Sequence, residues 1–209
     1  MIIISEQHTL NSPKISCKYG KLLVKKMASL QEHQVIAYCS AYLIGKESTL
    51  IKELAVKKKH VDVVKELMKK ALEEKYDIDD EESREDLVER ITYNERKECD
   101  IQGDYYAGDR KQRNIYIEAK GGKVTYGIYT LMGQMVTLRI NPSDSHWYGA
   151  ACPKEWKDAI KKKLMHEGEI KPIIQSMIDN FTSYKRGLKF YFIDENGDVE
   201  SVHWHNFLK

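Results

Sequence analysis

A chain of 209 residues, 42% hydrophobic and 32% charged, can bury one core, or one core with a helical appendage. No apolar run approaches a membrane span and Met1-Ile2-Ile3-Ile4 is too short for a secretory segment, so a cytoplasmic protein with no membrane partner is expected. A net charge of +2 from 34 basic and 32 acidic residues says little about partners by itself, and the placement of the lysines has to carry that question.

In chain order, Leu22, Leu23, Met27, Leu30, Val35, Ile36, Cys39, Tyr42 and Leu43 keep helical spacing as far as Gly45. A second helical segment is read over residues 48–75, through Leu50, Ile51, Leu54, Val61, Val64, Leu67, Met68 and Leu72. Residues 1–86 are thus expected to form a mainly helical N-terminal region, either part of the fold or an element for recognition or dimerisation. Residues 77–83 read as a polar turn. The periodicity then changes, and three short strands are expected, through Val88, Ile91 and Tyr93, through Cys99 and Ile101, and through Tyr105, Ile115 and Ile117. Residues 108–112 have the chemistry of a hairpin turn between the second and third. Ile128, Leu131, Met132, Met135 and Val136 mark a helix opening after Gly121-Gly122.

A buried strand over residues 147–151 is stopped by Pro153. Residues 154–181 are helical with a break near Gly168 and Pro172. Residues 188–193 and 199–204 form a closing strand pair around Asn196-Gly197. The order implies a mixed α/β fold, with a central mixed sheet flanked by helices and the core in residues 87–209.

Two basic stretches stand out: Lys57-Lys58-Lys59 with Lys65, Lys69 and Lys70, and Lys154, Lys157 and Lys161-Lys162-Lys163 beside Trp156. Such runs are commonly solvated helix faces, and their position either side of the central strands is what connects them to a phosphate backbone. The four cysteines form no C-x-x-C pair and read as free thiols. His203 and His205 share one face if the terminal strand runs through them, but no third ligand accompanies them. Most of the thirteen tyrosines are assigned to packing.

The chemistry concentrates between Asp100 and Lys120. Side chains alternate along a strand, so Glu118 and Lys120 point one way while Ile115 and Ile117 point into the core, and a paired preceding strand brings Asp100 to the same face. Adjacent carboxylates repel unless a cation lies between them, and hard oxygen donors select Mg²⁺, with Mn²⁺ as a substitute. A lysine beside them can hold an attacking water or offset phosphate charge. Asp104 is a further acid in the same alternation. Lys123 and Tyr126, just beyond the Gly pair at a helix start, are the expected nucleic-acid contacts.

This acid, strand, Glu-x-Lys, Gly-led helix pattern resembles the PD-(D/E)XK nuclease superfamily, which includes restriction endonucleases, junction resolvases and repair and defence nucleases. The resemblance covers residues 87–204 in element order, and Cys99 stands where the motif has proline. It implies a restriction endonuclease-like fold, with Asp100 and Glu118 as metal-binding acids, Lys120 as the motif lysine and Gln134 as a helical glutamine near the site. A glutamate from a helix before the first strand is implied as well, with Glu32, Glu47 and Glu53 as candidates and Glu47 or Glu53 slightly favoured. The implied activity is Mg²⁺-dependent endonucleolytic hydrolysis of DNA by a homodimer, first of the restriction or defence type. A repair or junction-cutting nuclease, or a non-catalytic nucleic-acid-binding subunit with the same fold, is the alternative.

Overall fold

A computed structural model describes residues 29–46, 50–94, 99–107, 109–138, 146–166 and 188–207. The first helix, α1 (Glu32–Lys46), buries Val35, Ile36, Ala37, Cys39, Leu43 and Ile44. Apolar residues on nearly every side of a helix require cover on nearly every side. α1 accordingly packs on the next long helix, α2 (Val61–Tyr76), and across the sheet beneath.

Between these helices lies a strand, β1 (Ile51–Lys57), where the spacing of Leu50, Ile51 and Leu54 had suggested a helix. The reason is a bulge. Ile51 pairs with Tyr105 and Leu54 with Gly103, so three steps on β1 match two on its partner. An extra residue lets Ile51 and Leu54 face the same core at a helix-like separation of three. A 3-10 turn (Lys58–His60) then leads into α2.

Asp77 ends α2 in the left-handed region at φ 52°, and Asp80 caps α3 (Glu81–Glu89) by accepting the Ser83 amide at 2.7 Å. The polar turn is therefore only residues 77–80, and Leu87 and Val88 are helical core residues rather than the start of a strand. Lys69 pairs with Glu81 and Glu85, and Lys65 with Glu89, so those lysines serve a helix-to-helix ion-pair seam.

Three strands follow in the predicted order, β2 (Ile91–Asn94), β3 (Ile101–Ala107) and β4 (Arg110–Ala119), the last two forming a hairpin, but Tyr105 belongs to β3 rather than β4, and β4 begins at Arg110, inside the expected 108–112 turn. α4 (Val124–Leu138), β5 (His146–Pro153), a 3-10 turn (Lys154–Trp156) and α5 (Lys157–His166) come next. The predicted break near Gly168 and Pro172 lies outside the described residues. β6 (Leu188–Ile193) and β7 (Val199–His203) close the chain around Gly197, at φ 88°. A single helical turn, α6 (Trp204–Phe207), begins at Trp204, so His203 ends its strand and does not share a strand face with His205.

The described strands form one mixed sheet in the order β2-β1-β3-β4-β5-β6-β7. β1 runs parallel to β2, and β4, β5 and β6 are mutually parallel; the remaining neighbours are antiparallel. One core holds α1 and α2 against Ile51, Leu54, Val56, Ile101, Ile117, Ala119, Ala151 and Ile193. The alternate strand positions Tyr148, Ala150, Cys152, Phe190 and Phe192 form a second core with Ile128 and Leu131 of α4, Trp156, Ile160 and Phe207. Helices therefore cover both faces. Cys39, Cys99 and Cys152 are buried free thiols, and burial pushes each of them up.

Candidate active site

The register of the β3–β4 hairpin sets the site. Ile101 pairs with Ile117, so Asp100, one residue before β3, falls beside Glu118. On the other side of β3, Val56 pairs with Ile101, which brings Lys57 to the same place. Asp100 is fully buried, Glu118 is 2% exposed and Lys120 9%. Asp100, Glu118 and Lys120 therefore converge as the strand alternation predicts.

Asp100 Oδ2 accepts the Ala119 amide at 2.9 Å and the Lys120 ammonium at 3.2 Å, while Oδ1 meets the Lys57 ammonium as an ion pair. Lys120 also reaches Glu32 Oε2 at 3.4 Å. The same glutamate lies 3.5 Å from His60 Nε2 through its other oxygen. Burial pushes the Glu118 carboxyl up to about 8, helped by a hydrogen bond to Asp100 and by the charge of that neighbour. Burial would raise Asp100 too, but its hydrogen bonds with Glu118, Lys57 and Ala119 and the charge of Lys120 hold it below the usual carboxylate range. Burial also opposes the charge on Lys57, and the Asp100 carboxylate outweighs it and raises the ammonium. For His60, burial and the nearby Lys59 lower the imidazole despite Glu32.

Glu32 arrives through a backbone junction. Gly122, at φ 81°, donates its amide to Leu30 O at 2.7 Å and accepts the Ser29 hydroxyl at 2.7 Å. A Cβ on Gly121 would overlap the backbone of Leu30, Gln31 and Glu32. Glycine is required there because the first turn of α1 lies directly on the chain leaving β4. Of the candidate glutamates among the described residues, Glu32 is the one at the site. Glu53 accepts the Thr92 hydroxyl at 2.9 Å on the β1–β2 side, and Glu47 lies outside the described residues. Glu32 is far from Lys120 in the chain, and nothing in the spacing reports the contact.

The other predicted residues lie on β3 and on or just before α4. Gln134 lies ten residues into α4, about 15 Å along the helix from Val124. Its Oε1 is buried without a hydrogen-bond partner among the described residues, so it does not bond Lys120. Lys123 is exposed just before α4; Tyr126 is in the first turn of α4, and its side chain lies outside the described residues. Asp104 forms a 2.8 Å ion pair with Lys111 across the hairpin, four residues up β3 from Asp100. Lys57 and His60 were hidden in what reads as a charged helix face.

Among the described residues no group of three or more His, Cys, Asp or Glu side chains is arranged to hold a metal. The donors present are two carboxylates. Mg²⁺ commonly keeps several waters and takes only one or two carboxylates from a protein, so that donor set is sufficient for it. Among the described residues Glu118 Oε2 is buried with no hydrogen-bond partner, which is the kind of oxygen a hard cation satisfies. Asp100 and Glu118 thus fit a divalent ion, and Lys120 stands beside them.

No helix among the described residues is long and apolar enough to cross a membrane. No family model, no curated protein and no solved structure matches the chain.

Proposed function

We propose that the chain is a Mg²⁺-dependent endonuclease that hydrolyses DNA phosphodiester bonds, with a restriction endonuclease-like fold and Mn²⁺ able to replace Mg²⁺. The observation that carries this reading is the buried Asp100–Glu118 pair with its orphaned Glu118 oxygen and Lys120 at 3.2 Å from Asp100. Lys57 and Lys120 both stand on Asp100, and a divalent ion would satisfy the Glu118 oxygen that they leave over.

Asp100 and Glu118 would hold the ion between β3 and β4. When bound, the ion supplies a lower pKa for a coordinated water and neutralises charge on the scissile phosphate. Lys120, which bonds Asp100 and Glu32, would orient the nucleophile and offset charge developing on phosphorus oxygens. The Ala119 amide keeps the Asp100 carboxylate in one orientation. Lys123, exposed just before α4, and Lys59, exposed near Glu32, are the proposed contacts to backbone phosphates, with Tyr126 proposed as a further nucleic-acid contact.

A restriction or defence enzyme is the favoured type, and cutting both strands of a duplex with one site per chain calls for a homodimer. A repair or junction-cutting nuclease and a non-catalytic binding subunit are the alternatives. The test is Mg²⁺-dependent plasmid cleavage by wild type, Asp100→Ala and Lys120→Ala. Each variant should lose about two to three orders of magnitude in rate. Discrete fragments would indicate sequence-specific cutting and smears a repair-like action; equal activity in all three would remove the assignment.

A further inference from the structure

Asp100 carries a cation on each oxygen, and the two attachments differ in kind. On Oδ2 the Ala119 amide and the Lys120 ammonium converge at 2.9 and 3.2 Å, and Lys120 is tied on its far side to Glu32. On Oδ1 stands Lys57, the last residue of β1, with a side chain 23% exposed against 11% for Lys120. One lysine is locked inside the site; the other reaches in from its edge.

We propose that Lys57 is an exchangeable counter-ion, neutralising Asp100 in the metal-free protein and released by an incoming divalent cation to bind a phosphate of the DNA backbone. The inference rests on the preceding reading that Asp100 and Glu118 hold the metal. An ammonium and a divalent ion repel each other, and in a buried site little solvent screens them. Lys57 has a flexible four-carbon stem and a more exposed side chain, whereas the Lys120 ammonium is tied to Glu32 as well as to Asp100 and the Ala119 amide is fixed in the backbone of β4. Once released, its charge joins Lys58 and Lys59 on the adjoining turn, which already face outward. Metal entry would thereby add one phosphate contact, linking metal occupancy to substrate affinity.

Two measurements on full-length wild type, Lys57→Met and Lys57→Gln test this, with folding checked by circular dichroism so that either variant suffices if the other fails to fold. In calorimetric titrations with Mn²⁺, loss of the competing charge should tighten binding by at least about tenfold. In anisotropy titrations of a short DNA duplex, log affinity against log salt should be steeper for wild type than for the variants by about 0.9 in Ca²⁺, and equal in EDTA. A purely structural ion pair would not move the salt slope with metal. Unchanged or weaker Mn²⁺ binding in the variants, or equal slopes in Ca²⁺, would overturn the proposal. Failure of the metal reading itself is separate, because it would appear as equal Mn²⁺ binding by wild type and Asp100→Asn.

Discussion

Glu118 is an acid that the fold favours in its protonated form, and this has a consequence for stability. Its folded pKa lies near 8 against an ordinary 4.5, so between those values the folded chain keeps a proton that the unfolded chain gives up. Stability from this group is therefore full below pH 4.5 and is lost as pH rises through 8. Asp100 has the opposite sign: its contribution is present above its ordinary 3.8 and is lost as pH falls toward about 2. Glu118→Gln mimics the protonated carboxyl and should remove the first of these dependences. In metal-free buffer its melting temperature should match wild type near pH 5 and exceed it progressively toward pH 9, by an amount on the order of a few kcal/mol in unfolding free energy. Saturating Mg²⁺ should raise wild type at pH 9 and leave Glu118→Gln nearly unmoved. A constant offset across pH in urea melts would contradict the buried proton. Asp100, Glu118 and Lys120 were legible in the sequence because strand alternation is a local rule. Lys57 was not, and Glu32 stood only as the least favoured of three candidates, because each comes within reach of Asp100 or Lys120 only after distant strands and helices have packed.

At the scale of elements, the Gly121-Gly122 step does more than open α4. It is the surface on which α1 begins, and the Gly122–Leu30 hydrogen bond of 2.7 Å joins the exit of β4 to the first turn carrying Glu32. Gly121→Ala should push that turn away, at a cost of about 1–3 kcal/mol from overpacking. Because the displaced turn holds Glu32, the rate of the proposed nuclease reaction should fall by more than the loss of folded protein explains, with thermal melts supplying the correction. A fall in rate matching the folded fraction would show that α1 has no positioning role. The Gly pair was visible as a helix start, but its second partner was not. β1 shows the same limit: its bulge reproduces helical spacing, so period alone could not separate strand from helix. By contrast β5, β6, β7 and α4 were readable, since each combines a local apolar pattern with a clear terminator or turn such as Pro153 or Asn196-Gly197.

For the whole molecule, the strand order decides which part of the chain can stand alone. β1 lies between β2 and β3, so the site strand β3 would become an edge without it. α1 and α2 supply Val35, Ile36, Leu43, Ile44, Val64, Met68 and Leu72, all essentially inaccessible, to the core that backs Ile101, Ile117 and Ala119. Each such side chain contributes about 1.5–3 kcal/mol when buried, against a typical net domain stability of about 5–15 kcal/mol. A fragment of residues 87–209 would therefore expose one whole face of its sheet and an unpaired central edge. It should fail to unfold cooperatively in urea and should bind a hydrophobic dye, whereas the full chain should melt in one transition. Adding residues 29–86 as a separate polypeptide should restore cooperative unfolding if the two pieces share one core, because α1, β1 and α2 carry the missing surface. A fragment that melts sharply by itself would instead establish residues before 87 as a separable appendage, with Lys57 and Glu32 brought to the site by docking.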